Sequence, residues 1–143
     1  LHNALRIYEQ EFQPSEFLSA PYKIAGINVI MADTNEEAEK LFTSLLGMFY
    51  GMITGNMQTV QPPTEMTEEW RRIFKHPSVN QMLKYSFVGN KETVKKKILE
   101  FLTETNVDEL IAVSSMYSSQ DRIKSAQLFA DVMKEINVNL ATQ

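Results

Sequence analysis

The chain has 143 residues, 43% apolar and 22% charged, with only five glycines and five prolines, which is the size and balance of one folded domain and excludes disordered or fibrous classes. Its formal charge of −4 is spread along the chain, and the densest basic run, Lys95-Lys96-Lys97, is followed closely by Glu100, so no nucleic-acid-binding face is expected. The absence of cysteine rules out disulfides and thiolate metal sites, and no apolar run approaches the roughly 18 residues of a membrane-spanning helix, so a cytoplasmic protein without a membrane partner is expected.

The chain begins with Leu1 rather than methionine, and helical spacing (Leu5, Tyr8, Phe12) is under way almost at once, which predicts a cut from a longer protein. Gln13-Pro14-Ser15 breaks that first short helix. From Tyr22 to Ala32 the residues are largely apolar at both alternating positions, with several β-branched side chains, the pattern of a central strand covered on both faces in a parallel sheet. Thr34 and Glu37 then have capping-box spacing, and the acidic cluster suits a helix N-terminus. Ala38, Leu41, Phe42, Leu45, Leu46, Phe49, Met52 and Ile53 continue as a helical stripe, stopped at Gly55-Asn56.

Between about 55 and 77 the pattern lapses into a loop excursion containing Pro62-Pro63, with Thr64 to Trp70 able to open a short helix. Pro77-Ser78 starts another short helix through Leu83, followed by a compact strand, Tyr85 to Val88, and Gly89. Asn90 caps a helix whose inward stripe is Val94, Ile98, Phe101 and Leu102, ending near Thr105-Asn106. A third strand, Glu109 to Val113, precedes a last helix capped by Ser118 or Ser119, with Ile123, Ala126, Phe129, Ala130, Met133 and Ile136 facing inward before a polar tail. Strands alternating with amphipathic helices imply right-handed βαβ units and parallel strands. Three strands are too few for either a doubly wound sheet of about five or a closed barrel of eight.

Several segments carry a resemblance. Phe12 to Phe17 with Pro21-Tyr22, and Ile27 to Glu39, resemble a late strand and helix of the bacterial luciferase-like flavin-dependent monooxygenases. Ser86-Phe87-Val88-Gly89-Asn90-Lys91-Glu92-Thr93-Val94 is similar to that family's strand-seven motif, and Asp108-Glu109-Leu110-Ile111 with Tyr117 and Arg122 to its eighth strand and final helix. Lys91 stands where the family usually has proline; because proline there only pre-sets a dihedral, the helix is not contradicted. The resemblance implies the C-terminal portion of a (β/α)8 TIM barrel, about three βα units in a single segment 1–143. It further implies a parent that uses reduced flavin mononucleotide (FMN) and oxygen to oxidise an organic substrate such as an aldehyde. In that family the first five strands hold most of the flavin and an early strand brings the histidine associated with catalysis, so this chain alone is expected to be inactive.

Barrel active sites lie at the C-terminal ends of the strands. Those ends offer Gly89 and Asn90, where helix N–H groups can meet an anion, and Ser114, Ser115, Met116 and Tyr117, suited to bordering a flavin ring or an apolar substrate. The plainer readings are a Gly-Asn cap, and serines that close a strand beside a core methionine. No residue qualifies as catalytic. His2 and His76 lack partners at ligand spacing, so no metal is expected; Asp33 reads as a turn residue, and Met48, Met52 and Met57 as adaptable filler. An alternative function is a non-catalytic interaction or dimerisation module. An open part-barrel leaves sheet edges unpaired, so a homo-oligomer formed through them is expected.

Overall fold

The computed structural model describes residues 1–141, with side chains described to residue 138. In chain order the elements are helix α1 (His2–Glu11), strand β1 (Ile24–Met31), helices α2 (Asn35–Thr54), α3 (Glu68–Lys75) and α4 (Pro77–Met82), strand β2 (Ser86–Gly89), helix α5 (Lys91–Thr105), strand β3 (Glu109–Val113) and helix α6 (Ser119–Ala141). The three strands form one parallel sheet in the order β2-β1-β3.

β1 is central because it is the longest strand and the most apolar. Ala25, Ile27, Val29 and Met31 point to one face and pack against α5 and α6 through Val94, Ile98, Phe101, Val132 and Ile136. On the opposite face Ile30 joins Phe42, Leu45 and Leu46 of α2 and Val79 of α4. Each such fully buried aliphatic side chain contributes about 1.5–3 kcal/mol relative to exposure. Coverage of that second face stops partway down the strand: Ile24 and Gly26 are exposed and Asn28 half-buried. The expectation of a strand covered on both faces therefore holds only for the C-terminal half of β1.

The two flanking strands divide β1 between them. β2 pairs with Asn28 to Met31 and β3 with Ile24 to Asn28. Successive staves of a regular barrel would place β2 between β1 and β3, whereas here β1 separates them and the connection through α5 crosses it. β3 is covered poorly, with Ile111 53% and Val113 50% exposed.

The helix boundaries follow local chemistry. Thr34 accepts a hydrogen bond from the Glu37 amide at 3.1 Å, and α2 ends at Gly55 in the left-handed region (φ 73°). The excursion is tied down: the Ser44 hydroxyl donates to the Gln61 carbonyl at 2.8 Å, the Thr43 hydroxyl accepts from the Thr64 amide at 3.0 Å, and the Trp70 indole donates to the Thr64 hydroxyl at 2.9 Å. It therefore carries α3, capped by Thr67, a turn later than Thr64. In α6 the inward face matches the expected one only in part. Phe129, Met133 and Ile136 pack on the core as expected, but Ile123 is 59% exposed and Ala126 and Ala130 are exposed, while Ser125 and Val132 are buried. The expected polar tail is helical through Ala141, with 142–143 outside the described residues.

Candidate functional site

The C-terminal ends of β1 and β2 meet at Ala32 and Gly89, where the Ala32 amide donates to the Gly89 carbonyl at 3.4 Å. Gly89 has φ 147°, and a β-carbon there would stand 2.7 Å from Asn35 Oδ1 and 2.9 Å from Thr93 Cγ2, so only glycine fits without strain. Asn35 Oδ1 in turn accepts the Asn90 amide at 2.9 Å, and Asn90 Oδ1 accepts the Thr93 amide at 2.9 Å. Two of the N–H groups that open α5 are thus already bonded within the protein, which weakens the case for an anion at this terminus.

Across β1, the residues after β3 reach the same end of the sheet but differ in availability. The Ser114 hydroxyl donates to the Val29 carbonyl at 2.7 Å, continuing the β3 pairing with a side chain in place of backbone. Met116 is 6% exposed and packs with Ile30 and Phe42, the plainer of its two readings. Ser115 is half-buried, and Tyr117 is 57% exposed. The two expected sets thus lie at strand ends on opposite sides of β1, and of the second set Ser115 and Tyr117 keep accessible surface.

Three residues outside that expected set complete the arrangement. Lys124 of α6 donates to Asp33 at 2.5 Å. The hydrogen-bonded Asp33 carboxylate, with the charges of Asp33, Glu37 and Asp121, holds the Lys124 ammonium above its ordinary pKa despite opposing desolvation. Ser125, fully buried, accepts the Met31 amide at 2.9 Å and donates to the Val29 carbonyl at 3.4 Å. Asn35, two residues past the Asp33 turn, locks Gly89. Asn35 and Ser125 act across long sequence separations, so no local spacing announces them.

The recess at this end, bordered by Ala32, Asp33, Asn90, Lys91, Glu92 and Leu128, has a volume of about 200 Å³, below the ~300–1,000 Å³ of ligand pockets. The recess is too small to enclose a flavin by itself, and neither Ser115 nor Tyr117 lines it. Among the described residues no group of three His, Asp or Glu side chains is placed to hold a metal, and no helix is long and apolar enough to cross a membrane.

A parallel α/β unit with chemistry gathered at its strand ends is the class that this geometry defines. No family model matches the chain. It is 34% identical over 136 residues to a luciferase-like monooxygenase of Escherichia coli (strain K12), a match covering 95% of this chain and 41% of that protein. It is 35% identical over 131 residues to the uncharacterized protein YvbT of Bacillus subtilis (strain 168), covering 92% of this chain and 39% of that protein. The fold aligns with the crystal structure of apo-MsnO8 with a TM-score of 0.75 at 20% identity, over 93% of this chain and 41% of that one. The chain is a homologue of a luciferase-like monooxygenase over nearly its whole length, as its motifs indicated, and spans about two fifths of the length of the relatives it matches.

Proposed function

We propose that the chain forms the closing part of a (β/α)8 barrel in a cytoplasmic, flavin-dependent monooxygenase, whose complete protein uses reduced FMN and oxygen to oxidise a small organic substrate such as an aldehyde. The observation carrying this reading is the bare face of the directly paired strands β1 and β3, where Ile24, Gly26, Ile111 and Val113 lie exposed side by side in register. Below the part that α2 and α4 cover, such a face is left for further strands to close over. Gly89 and Asn90 serve this reading by fixing the strand end, Ser114 and Met116 by shaping the turn after β3, and Ser115 and Tyr117 by bordering the flavin. FMN supplies the redox chemistry when bound; these residues orient and exclude water.

The segment alone is inactive in this reading, because it offers only a border. Reduced FMN and a medium-chain aldehyde, tested with the 143-residue chain and with a longer polypeptide that continues it upstream, decide the matter. Oxygen-dependent oxidation by the longer polypeptide alone is expected, and robust turnover by the short chain overturns it. A second reading, a homo-oligomeric interaction module, is favoured by the outer edge of β3, which pairs with no strand among the described residues. Sedimentation of the short chain tests it: a monomer at all concentrations counts against it.

A further inference from the structure

A second cavity, of about 380 Å³, opens beside the free edge of β2, between α2, α3 and α5. It shares none of the strand-end residues assigned to flavin. Its floor is apolar and aromatic: Phe42 and Phe74 meet edge to face with centroids 5.6 Å apart, flanked by half-buried Met66 and Val88. Its rim is cationic, with Arg71, Lys75 and Lys97 against a single carboxylate, Glu39.

The three cations are not equivalent. Arg71 is engaged by Glu39 at 3.2 Å and by Glu68 at 3.7 Å, so its charge is largely matched. Lys97 donates to the Val88 carbonyl at 3.3 Å, which seats its ammonium against the β2 edge with donors to spare. Lys75, at the C-terminal end of α3, forms no ion pair among the described residues. An aromatic floor beneath two uncompensated ammonium groups is an unusual combination in a chain whose net charge is −4.

We propose that this cleft binds a planar aromatic monoanion of one or two rings, an aryl carboxylate, with the ring stacked among Phe42, Phe74, Met66 and Val88 and the carboxylate between Lys75 and Lys97. The volume lies at the low end of ligand pockets, ~300–1,000 Å³, which accommodates two fused rings but not a dinucleotide. Aromatic rings gain edge-to-face contacts that an alkyl chain does not. The anion gains charge-assisted hydrogen bonds from the lysines.

The probe is 2-naphthoate, titrated into the chain by calorimetry and followed by amide NMR, with 2-naphthalenemethanol as the uncharged analogue and dodecanoate as the aliphatic anion. Saturable binding of naphthoate is expected, with shifts concentrated at Phe74, Ser86 and Val88 and an affinity that falls as salt rises. Lys97→Gln and Lys75→Gln, surface changes that leave the core intact, should each weaken it about fivefold. Glu39→Gln should strengthen it, by removing the one acidic group and releasing Arg71. Equal affinity for the alcohol, tighter binding of dodecanoate, shifts confined to the exposed face of Ile111 and Val113, or indifference to all three substitutions overturns the proposal.

Discussion

Replacing Ser125 with alanine deletes one oxygen, yet it strands the Met31 amide, whose partner at 2.9 Å it is, in a position with no solvent. An unsatisfied buried donor costs about 1–3 kcal/mol, so the midpoint of urea unfolding of Ser125→Ala should fall with an unchanged slope. Gly89→Ala faces a different penalty, because φ 147° is foreign to alanine and its β-carbon would meet Asn35 Oδ1 at 2.7 Å. Strain of that kind costs about 1–3 kcal/mol, and displacing Asn35 also unseats the Asn90 amide. In thermal melts the double substitution Gly89→Ala with Asn35→Ala should cost less than the sum of the two single ones, since the contact at 2.7 Å is gone; simple additivity would mean that the backbone angle and the remaining contact with Thr93 carry the cost of Gly89→Ala.

Among elements, the capped helices were readable from the sequence because caps are local. Thr34 with Glu37 and Asn90 with Thr93 lie three residues apart, and each hydroxyl or amide oxygen bonds where the spacing indicated. The phase of α6 was readable only in part. A stripe of Ile123, Ala126, Phe129, Ala130, Met133 and Ile136 satisfies helical periodicity, and its Phe129, Met133 and Ile136 do face the core, but the bonds of Ser125 to β1, which no window of neighbouring residues contains, turn Ile123, Ala126 and Ala130 outward. The strand order was hidden for the same reason, since pairing across the sheet depends on which strand has two buried faces along enough of its length. At the candidate site the motif residues were visible, whereas their partners Asn35 and Lys124 were not, each lying far along the chain from what it holds.

The pairing of α5 with α6 also makes an element-scale prediction. Glu135 accepts from Lys95 at 2.6 Å, and that hydrogen bond, with the charges of Lys95 and Lys91, lowers its pKa from the ordinary 4.5 against small opposing effects of desolvation and Asp131. A depressed carboxyl stabilises the folded state above its unfolded value and loses that contribution as pH falls through the folded value. Thermal midpoints measured from neutral pH downward should therefore decline below pH 4.5 less steeply in Glu135→Gln than in the parent chain. Because the pair is exposed and screened, the difference should shrink in high salt.

For the whole molecule, the decisive surface is the shared face of β1 and β3. Ile24, Ile111 and Val113 are 47%, 53% and 50% exposed, an apolar patch that a folded monomer seldom leaves open. If that face is one wall of a barrel, a charge placed on it has opposite consequences in two contexts. In the 143-residue chain, Ile111→Lys places an ammonium in water, removes apolar surface from an edge strand and should lower self-association in light scattering without lowering the melting temperature. In a polypeptide continued upstream, the same lysine would be enclosed without a partner, at a cost of about several kcal/mol, and flavin binding and soluble yield should both collapse. Equal tolerance of Ile111→Lys in the two contexts would mean that nothing closes over this face, and the barrel reading would fail while the family relation stood. A loss of stability in the short chain as well would point to a partner copy already covering the face, which concentration-dependent sedimentation of the unsubstituted chain would register directly.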